Sequence, residues 1–143
     1  MSEEDVEIAR GFTEAWNARD VEALVSFCDP SIELHSAFAG VGGVELYQGH
    51  DGIRRWYRDQ EEVWGDETRS ELEALFDLGE HTLLTFYVLH GRGRQSGAKV
   101  ALTGAAVVRF RDGRAVFQKY YAHREDALRD LGLSEDALEP IAR

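Results

Sequence analysis

Two hydrophobic periods share this chain. Up to about residue 64 apolar positions recur every three or four residues, with one alternating stretch near 31–36; from Thr68 onward the period is two. In "SEEDVEIARGFTEAWNARD", Ile8, Phe12, Ala15 and Trp16 form one stripe and predict a first helix. Ser2 and Asp5 stand in capping-box-like spacing, and the acidic first turn suits the helix dipole. "NARD" breaks this helix, Asp20 caps a short second one through "VEALVSFC", and "DP" at 29–30 ends it. A Gly-rich loop, "AGVGGVELYQG", leads to a third helix over roughly 50–64, with Ile53, Trp56, Tyr57, Gln60 and Trp64 along one stripe. Strands follow near 69–78, 81–92, 98–110 and 114–122, joined by the turns "GE", "GRGRQSG" and "RDG". "HREDALRDLGL" predicts a short closing helix and "SEDALEPIAR" a frayed tail. Helices first and hairpin-connected strands afterwards predict an α+β domain with helices on one face of an antiparallel sheet. No repeat, low-complexity segment or linker divides the chain, so 1–143 reads as one domain.

The alternating stretch "SIELHS" raises the first chemical question. Ser31, Glu33 and His35 share one strand face, and Ile32, Leu34 and Ser36 the other. Either the polar side faces water, or a carboxylate and an imidazole are placed together inside an apolar wall. Imidazole exchanges protons near neutral pH, and a carboxylate on the same face can orient it.

Composition narrows the possibilities. Sixteen basic against 27 acidic residues give a formal charge of -11, which repels phosphate backbones and anionic membranes. No nucleic-acid partner is expected. Cys28 is the only cysteine, which excludes an internal disulfide and fits a reducing compartment. The charged start "MSEEDVEIAR" lacks the apolar run of a signal peptide, and the longest apolar stretches fall short of the ~20 residues a spanning helix needs. A soluble cytoplasmic protein is expected. "GRGRQSG" joins two strands and opens no helix, so it reads as a hairpin and not as a phosphate loop. "IRRWYR" reads as a solvated helix face. With no HExxH or paired Cys/His spacing, no metal is expected, and no other cofactor. There is no G-x-S-x-G elbow, and Cys28 has no evident basic partner, so nucleophilic catalysis is not expected.

"FTEAWNARDVEALVSFCDPSIELH", "YQGHDGIRRWY", "RGRQSGAKV" and "VVRFRDGRAVFQKYYAHREDALRDLGL", in this order, resemble the SnoaL-like group of the nuclear-transport-factor-2-like superfamily. The resemblance covers about 10–133 and leaves 134–143 as a tail. It implies a cone, in which a curved antiparallel sheet wraps the first helix and encloses a pocket. Ketosteroid isomerase, limonene epoxide hydrolase, scytalone dehydratase, polyketide cyclases and members with no known reaction share this fold, so function rests on the site. By the resemblance His35 falls at the isomerase's general base, which would turn the Glu33/His35 face into the pocket. The isomerase's tyrosine and protonated aspartate align with Phe12 and Ala106, so its oxyanion donors are missing and steroid isomerisation is not expected. The epoxide hydrolase's Asp-Arg-Asp arrangement is not recognisable. For the dehydratase, His35 and His90 are present without an alignable carboxylate.

Trp16, Trp56, Tyr57, Gln60, Phe86, His90 and Tyr120 are the expected pocket lining, apolar with a few polar groups, as a ligand site requires. The expected ligand is a small apolar or aromatic organic molecule. Two functions fit: a cofactor-independent isomerase, dehydratase or cyclase with His35 as acid/base and Glu33 beside it, or a non-catalytic binding or interaction domain. The last strands carry apolar residues on both faces, so a homodimer through the outer sheet face is expected.

Overall fold

The computed structural model describes residues 3–36, 46–65, 67–92 and 96–141. Its elements run α1 (Glu3–Asn17), α2 (Val21–Ser26), β1 (Cys28–His35), β2 (Leu46–Gln48), α3 (Gly49–Trp64), β3 (Arg69–Gly79), β4 (Thr82–Arg92), β5 (Lys99–Arg111), β6 (Arg114–Tyr121) and α4 (Arg124–Leu131), followed by a single 3-10 turn (Glu135–Ala137). The strands form one curved, mostly antiparallel sheet in the order β2-β1-β6-β5-β4-β3.

Local chemistry explains the boundaries. Three acids, Glu3, Glu4 and Asp5, occupy the first turn of α1, at the positive end of its dipole. Asp20 caps α2 by accepting from the Ala23 N–H at 3.1 Å. Asp112 and Gly113 both have positive φ, 51° and 77°, which makes "DG" a mirror-image turn matched to the twist of β5 and β6. Gly132, at φ 68°, ends α4 in the left-handed conformation. At the far end of α1 the Asn17 amide imitates a strand neighbour: its Nδ2 donates to Ser70 O at 2.8 Å, and Ser70 N donates to its Oδ1 at 2.7 Å. This pair ties α1 to β3.

Each sheet face has its own core. On the inner face Leu24, Ile32, Leu34, Ile53 and Leu75 are almost wholly buried among residues of α1, α2 and α3. On the outer face Ala74, Phe76, Leu84, Phe86, Ala105 and Val107 pack with Ala127 of α4, and Leu128, Leu131 and Leu138 close over them. The chain thus supplies its own second cover. Helices therefore lie on both faces of the sheet and not on one as expected, because the outer apolar residues need a cover that α4 supplies, and no partner subunit is needed to shield this part of it.

Three features differ from the sequence reading. The strand of the opening question begins at Cys28, so Pro30 lies within β1, where register with β6 slips between Cys28 and Glu33. β1 also pairs in parallel with β6, and β2 forms at the end of the Gly-rich segment, whose residues 37–45 lie outside the described ones. Finally, the tail is not frayed up to Ile141: Leu138 packs on the outer core, and Ile141 N donates to Leu75 O at 2.6 Å. No helix among the described residues is long and apolar enough to cross a membrane.

Candidate functional site

A cavity of about 100 Å³ lies between the inner sheet face and the helices α1 and α3. Strand alternation decides its wall. β4 turns Thr85, Tyr87 and Leu89 inward, β5 turns Ala106, Val108 and Phe110, and β6 turns Gln118 and Tyr120. Ser70 and Leu72 of β3 and Ser36 after β1 complete the sheet side. α1 contributes Phe12, Thr13 and Trp16, and α3 contributes Trp56 and Gln60. An apolar protein cavity of roughly 150 Å³ takes up benzene, so the enclosed part here is smaller than one ring requires and a bound ring would extend toward the cavity's open side.

Aromatic packing sets the shape. The Trp56 ring stacks on Phe12 at 6.1 Å and on Tyr120 at 5.6 Å, and meets Trp16 at 5.3 Å. Tyr87 stands edge-on to Tyr120 at 6.0 Å. Its ring passes over Gly104, its ladder partner; a Cβ there would stand 2.5 Å from the Tyr87 hydroxyl. Only a residue without a side chain leaves room for this ring.

The described wall contains no Asp, Glu, Lys, Arg or His. Its polarity comes from amides and hydroxyls, of which Gln60, Thr85 and Gln118 belong to buried residues. Trp64 Nε1 donates to Gln60 Oε1 at 3.1 Å, and Tyr120 OH donates to Gln118 Oε1 at 3.1 Å. Thr85 and Thr13 donate to the carbonyls of Ala106 and Ala9 at 3.4 and 3.2 Å. Burial pushes the Tyr87 phenol up to about 12 against a smaller opposing pull from Arg124, and pushes Tyr120 still further above the ordinary phenol range. Both therefore stay neutral hydrogen-bonding groups at physiological pH.

The expected site residues separate by strand face. Trp16, Trp56, Gln60 and Tyr120 stand in the cavity wall. Tyr57 does not: it sits edge-on to Trp16 at 5.5 Å and donates to Glu61 Oε2 at 2.9 Å. Phe86 and His90 point to the outer face. Phe86 packs on Phe76 at 5.0 Å under the Arg124 guanidinium, and exposed His90 lies 3.3 Å from Glu71.

His35 and Glu33 also face outward, which corrects the orientation drawn from the isomerase alignment. Ile32 and Leu34 are 0% exposed and belong to the inner core, so their neighbours on β1 must point the other way. Two aliphatic side chains gain more from that position than an ionisable pair, which would have to be desolvated there. Outside, His35 Nε2 lies 3.5 Å from Glu33 Oε2, with the side chains 37% and 47% exposed. The His35 ring tilts against Phe117 at 5.2 Å. His35 and His90 stay apart, on strands separated by β6 and β5.

Sequence reasoning missed Tyr87, Thr85 and Gln118. One signal was available: Gln118 stands two residues before Tyr120 and so shares its face. On β4 the choice of Phe86 and His90 took the wrong alternate set. Among the described residues no three His, Cys, Asp or Glu side chains gather as a metal site. Cys28 is buried, its thiol pushed up to about 12 by desolvation and bonded to Leu24 O at 3.4 Å, which leaves it chemically quiet.

Comparison with known proteins agrees with this fold. An NTF2-like protein of unknown function from Burkholderia pseudomallei superposes with a TM-score of 0.76 at 21% identity, covering 90% of this chain and 97% of its own. TerC co-crystallized with polyporic acid gives 0.74 at 21% identity, with the same coverage of 90% and 97%. A protein from Catenulispora acidiphila with a ketosteroid isomerase-like fold, in complex with trimethylamine, gives 0.70 at 17% identity, covering 91% and 95%. At such identities the likeness is one of fold. No curated protein matches the sequence. The model of the SnoaL-like domain matches residues 9–118, more than half of the chain. By sequence and by architecture the chain belongs to the SnoaL-like domain family.

Proposed function

We propose that the protein binds a small, uncharged, ring-bearing organic molecule in the cavity beneath the inner sheet face. One observation carries this reading: the described wall is aromatic and apolar, with buried amides and hydroxyls and no charged side chain. Two of the similar structures, TerC with polyporic acid and the Catenulispora protein with trimethylamine, hold organic molecules on the same fold. The wall as described offers no general base, and His35 stands on the other side of the sheet. Of the two functions that fit the sequence, binding is therefore favoured over proton-transfer catalysis through His35.

The test is native mass spectrometry of the purified protein, followed by titration of tryptophan fluorescence with a neutral aromatic compound such as 1-indanone. A co-purified organic molecule, or saturable quenching that Trp56→Ala abolishes, supports the reading. No bound mass, together with no fluorescence response, overturns it.

For assembly we propose that a homodimer would use the strip of outer face that α4 leaves open on β1 and β6. There Phe117 lies between His35 and the Arg109 guanidinium, at 5.2 and 4.9 Å. Light scattering at micromolar concentration should show a dimer that Phe117→Glu dissociates; a monomeric wild type removes the proposal.

A further inference from the structure

Arg124 opens α4 with a charge that the helix itself does not favour. A cation in the first turn stands against the positive end of the dipole, whereas the next two residues, Glu125 and Asp126, suit it. The Arg124 side chain is only 20% exposed and lies along the outer face of the sheet, its guanidinium 4.7 Å from the Phe86 ring. Nε donates to Gly104 O at 3.2 Å, Nη2 to Tyr87 O at 3.0 Å and Nη1 to Glu73 Oε1 at 2.9 Å. One planar fork thus holds β3, β4 and β5 together.

Two of these acceptors belong to a single ladder pair, Tyr87 and Gly104. The sheet is irregular on both sides of that pair. β3 slips register between Leu72 and Ala74, and the ladder of β5 with β6 stops at Ala105–Tyr121, one residue short of Gly104. Arg124 supplies donors where regular strand pairing lapses. On the inner face the same pair shapes the cavity wall: the Tyr87 ring crosses Gly104, where a Cβ would stand 2.5 Å from its hydroxyl, and meets Tyr120 edge-on at 6.0 Å. A ring packed this closely has no slack, so it follows any shift of the backbone beneath it.

We infer that Arg124 is a positioning residue for the cavity: from the outer face it holds the two carbonyls that fix where Tyr87 stands in the inner wall, and so tunes ligand binding. The ligand part rests on the binding reading above; the placement of Tyr87 is measured without a ligand.

The variant Arg124→Met keeps an apolar stem over Phe86 and removes the donors. Leu131→Ala is its control, because Leu131 packs α4 on the outer core without a hydrogen bond to Tyr87 or Gly104. In ligand-free NMR, Arg124→Met should move the Tyr87 ring signals and the Gly104 amide signal, and Leu131→Ala should leave both in place. The dissociation constant for 1-indanone, read by calorimetry, should rise about threefold or more in Arg124→Met and stay within about twofold in Leu131→Ala. Thermal unfolding confirms that the variants fold. If Arg124→Met does not, Arg124→Lys takes its place, since it keeps the charge opposite Glu73 but loses the planar fork. An unmoved Tyr87 ring, equal effects in the control, or an unchanged dissociation constant despite a moved ring overturns the inference. If 1-indanone does not bind the unmodified protein while the Tyr87 ring still moves in Arg124→Met, the binding reading fails and the positioning of Tyr87 stands.

Discussion

Gly104 shows how one position shapes the site. Tyr87 crosses it so closely that a methyl group would stand 2.5 Å from the phenol oxygen. Gly104→Ala must push the ring into the cavity or strain the β4–β5 ladder, so we expect a stability loss of about 1–3 kcal/mol and weaker 1-indanone binding. Urea unfolding and calorimetry check the two effects. His35 gives the opposite case. Its pairing with Glu33 is solvent-screened and worth at most about 1 kcal/mol, so His35→Ala should barely change stability or 1-indanone binding. Loss of binding in that variant would return His35 to the site. The helical stripes made Trp16, Trp56 and Gln60 legible in the sequence, because a stripe has one buried side. A strand has two faces, and with helices on both sides of this sheet both faces are apolar. Alternation therefore could not say which set was inward. At β1 the apolar pair Ile32 and Leu34 did carry that information, and the alignment to an isomerase base outweighed it wrongly.

At the scale of elements, the four helices and five of the six strands were readable from period and punctuation. β2 was not: three residues at the end of a Gly-rich segment make no pattern of their own. Nor was the parallel pairing of β1 with β6, which joins segments some 80 residues apart and leaves no local trace. The docked tail was missed because "SEDALEPIAR" has too few apolar residues to show a period, yet Leu138 and the Ile141 N–H each find a seat. Removing residues 134–143 should therefore cost about 2 kcal/mol, from one partly buried leucine and one backbone hydrogen bond. Urea unfolding measures it; an unchanged midpoint would mean that the tail contributes nothing.

For the whole molecule, helices followed by hairpins gave the α+β class, since few architectures accept that order, while the curved sheet around the first helix came from the family resemblance. The same design has a consequence in alkali. All five tyrosines, 47, 57, 87, 120 and 121, have phenols raised above the ordinary value, first of all by burial. A raised folded-state pKa means that the native state holds the proton more tightly than the unfolded chain. The contribution is complete below the unfolded value of about 10 and declines as pH rises toward the folded values. Stability should thus fall from about pH 10 upward, with Tyr87 and Tyr120 ionising only as the protein unfolds. Phenolate absorbance followed together with circular dichroism tests this; full ionisation ahead of unfolding would show that these rings are not shielded.

Heteronuclear NMR during titration with 1-indanone reads where a ligand sits. The side-chain NH2 signals of Gln60 and Gln118 and the indole signals of Trp16 and Trp56 should shift together and saturate, while backbone signals of His35 and Phe117 stay in place. Shifts gathered around His35 and Phe117, with the two glutamine amides unmoved, would contradict binding in the cavity.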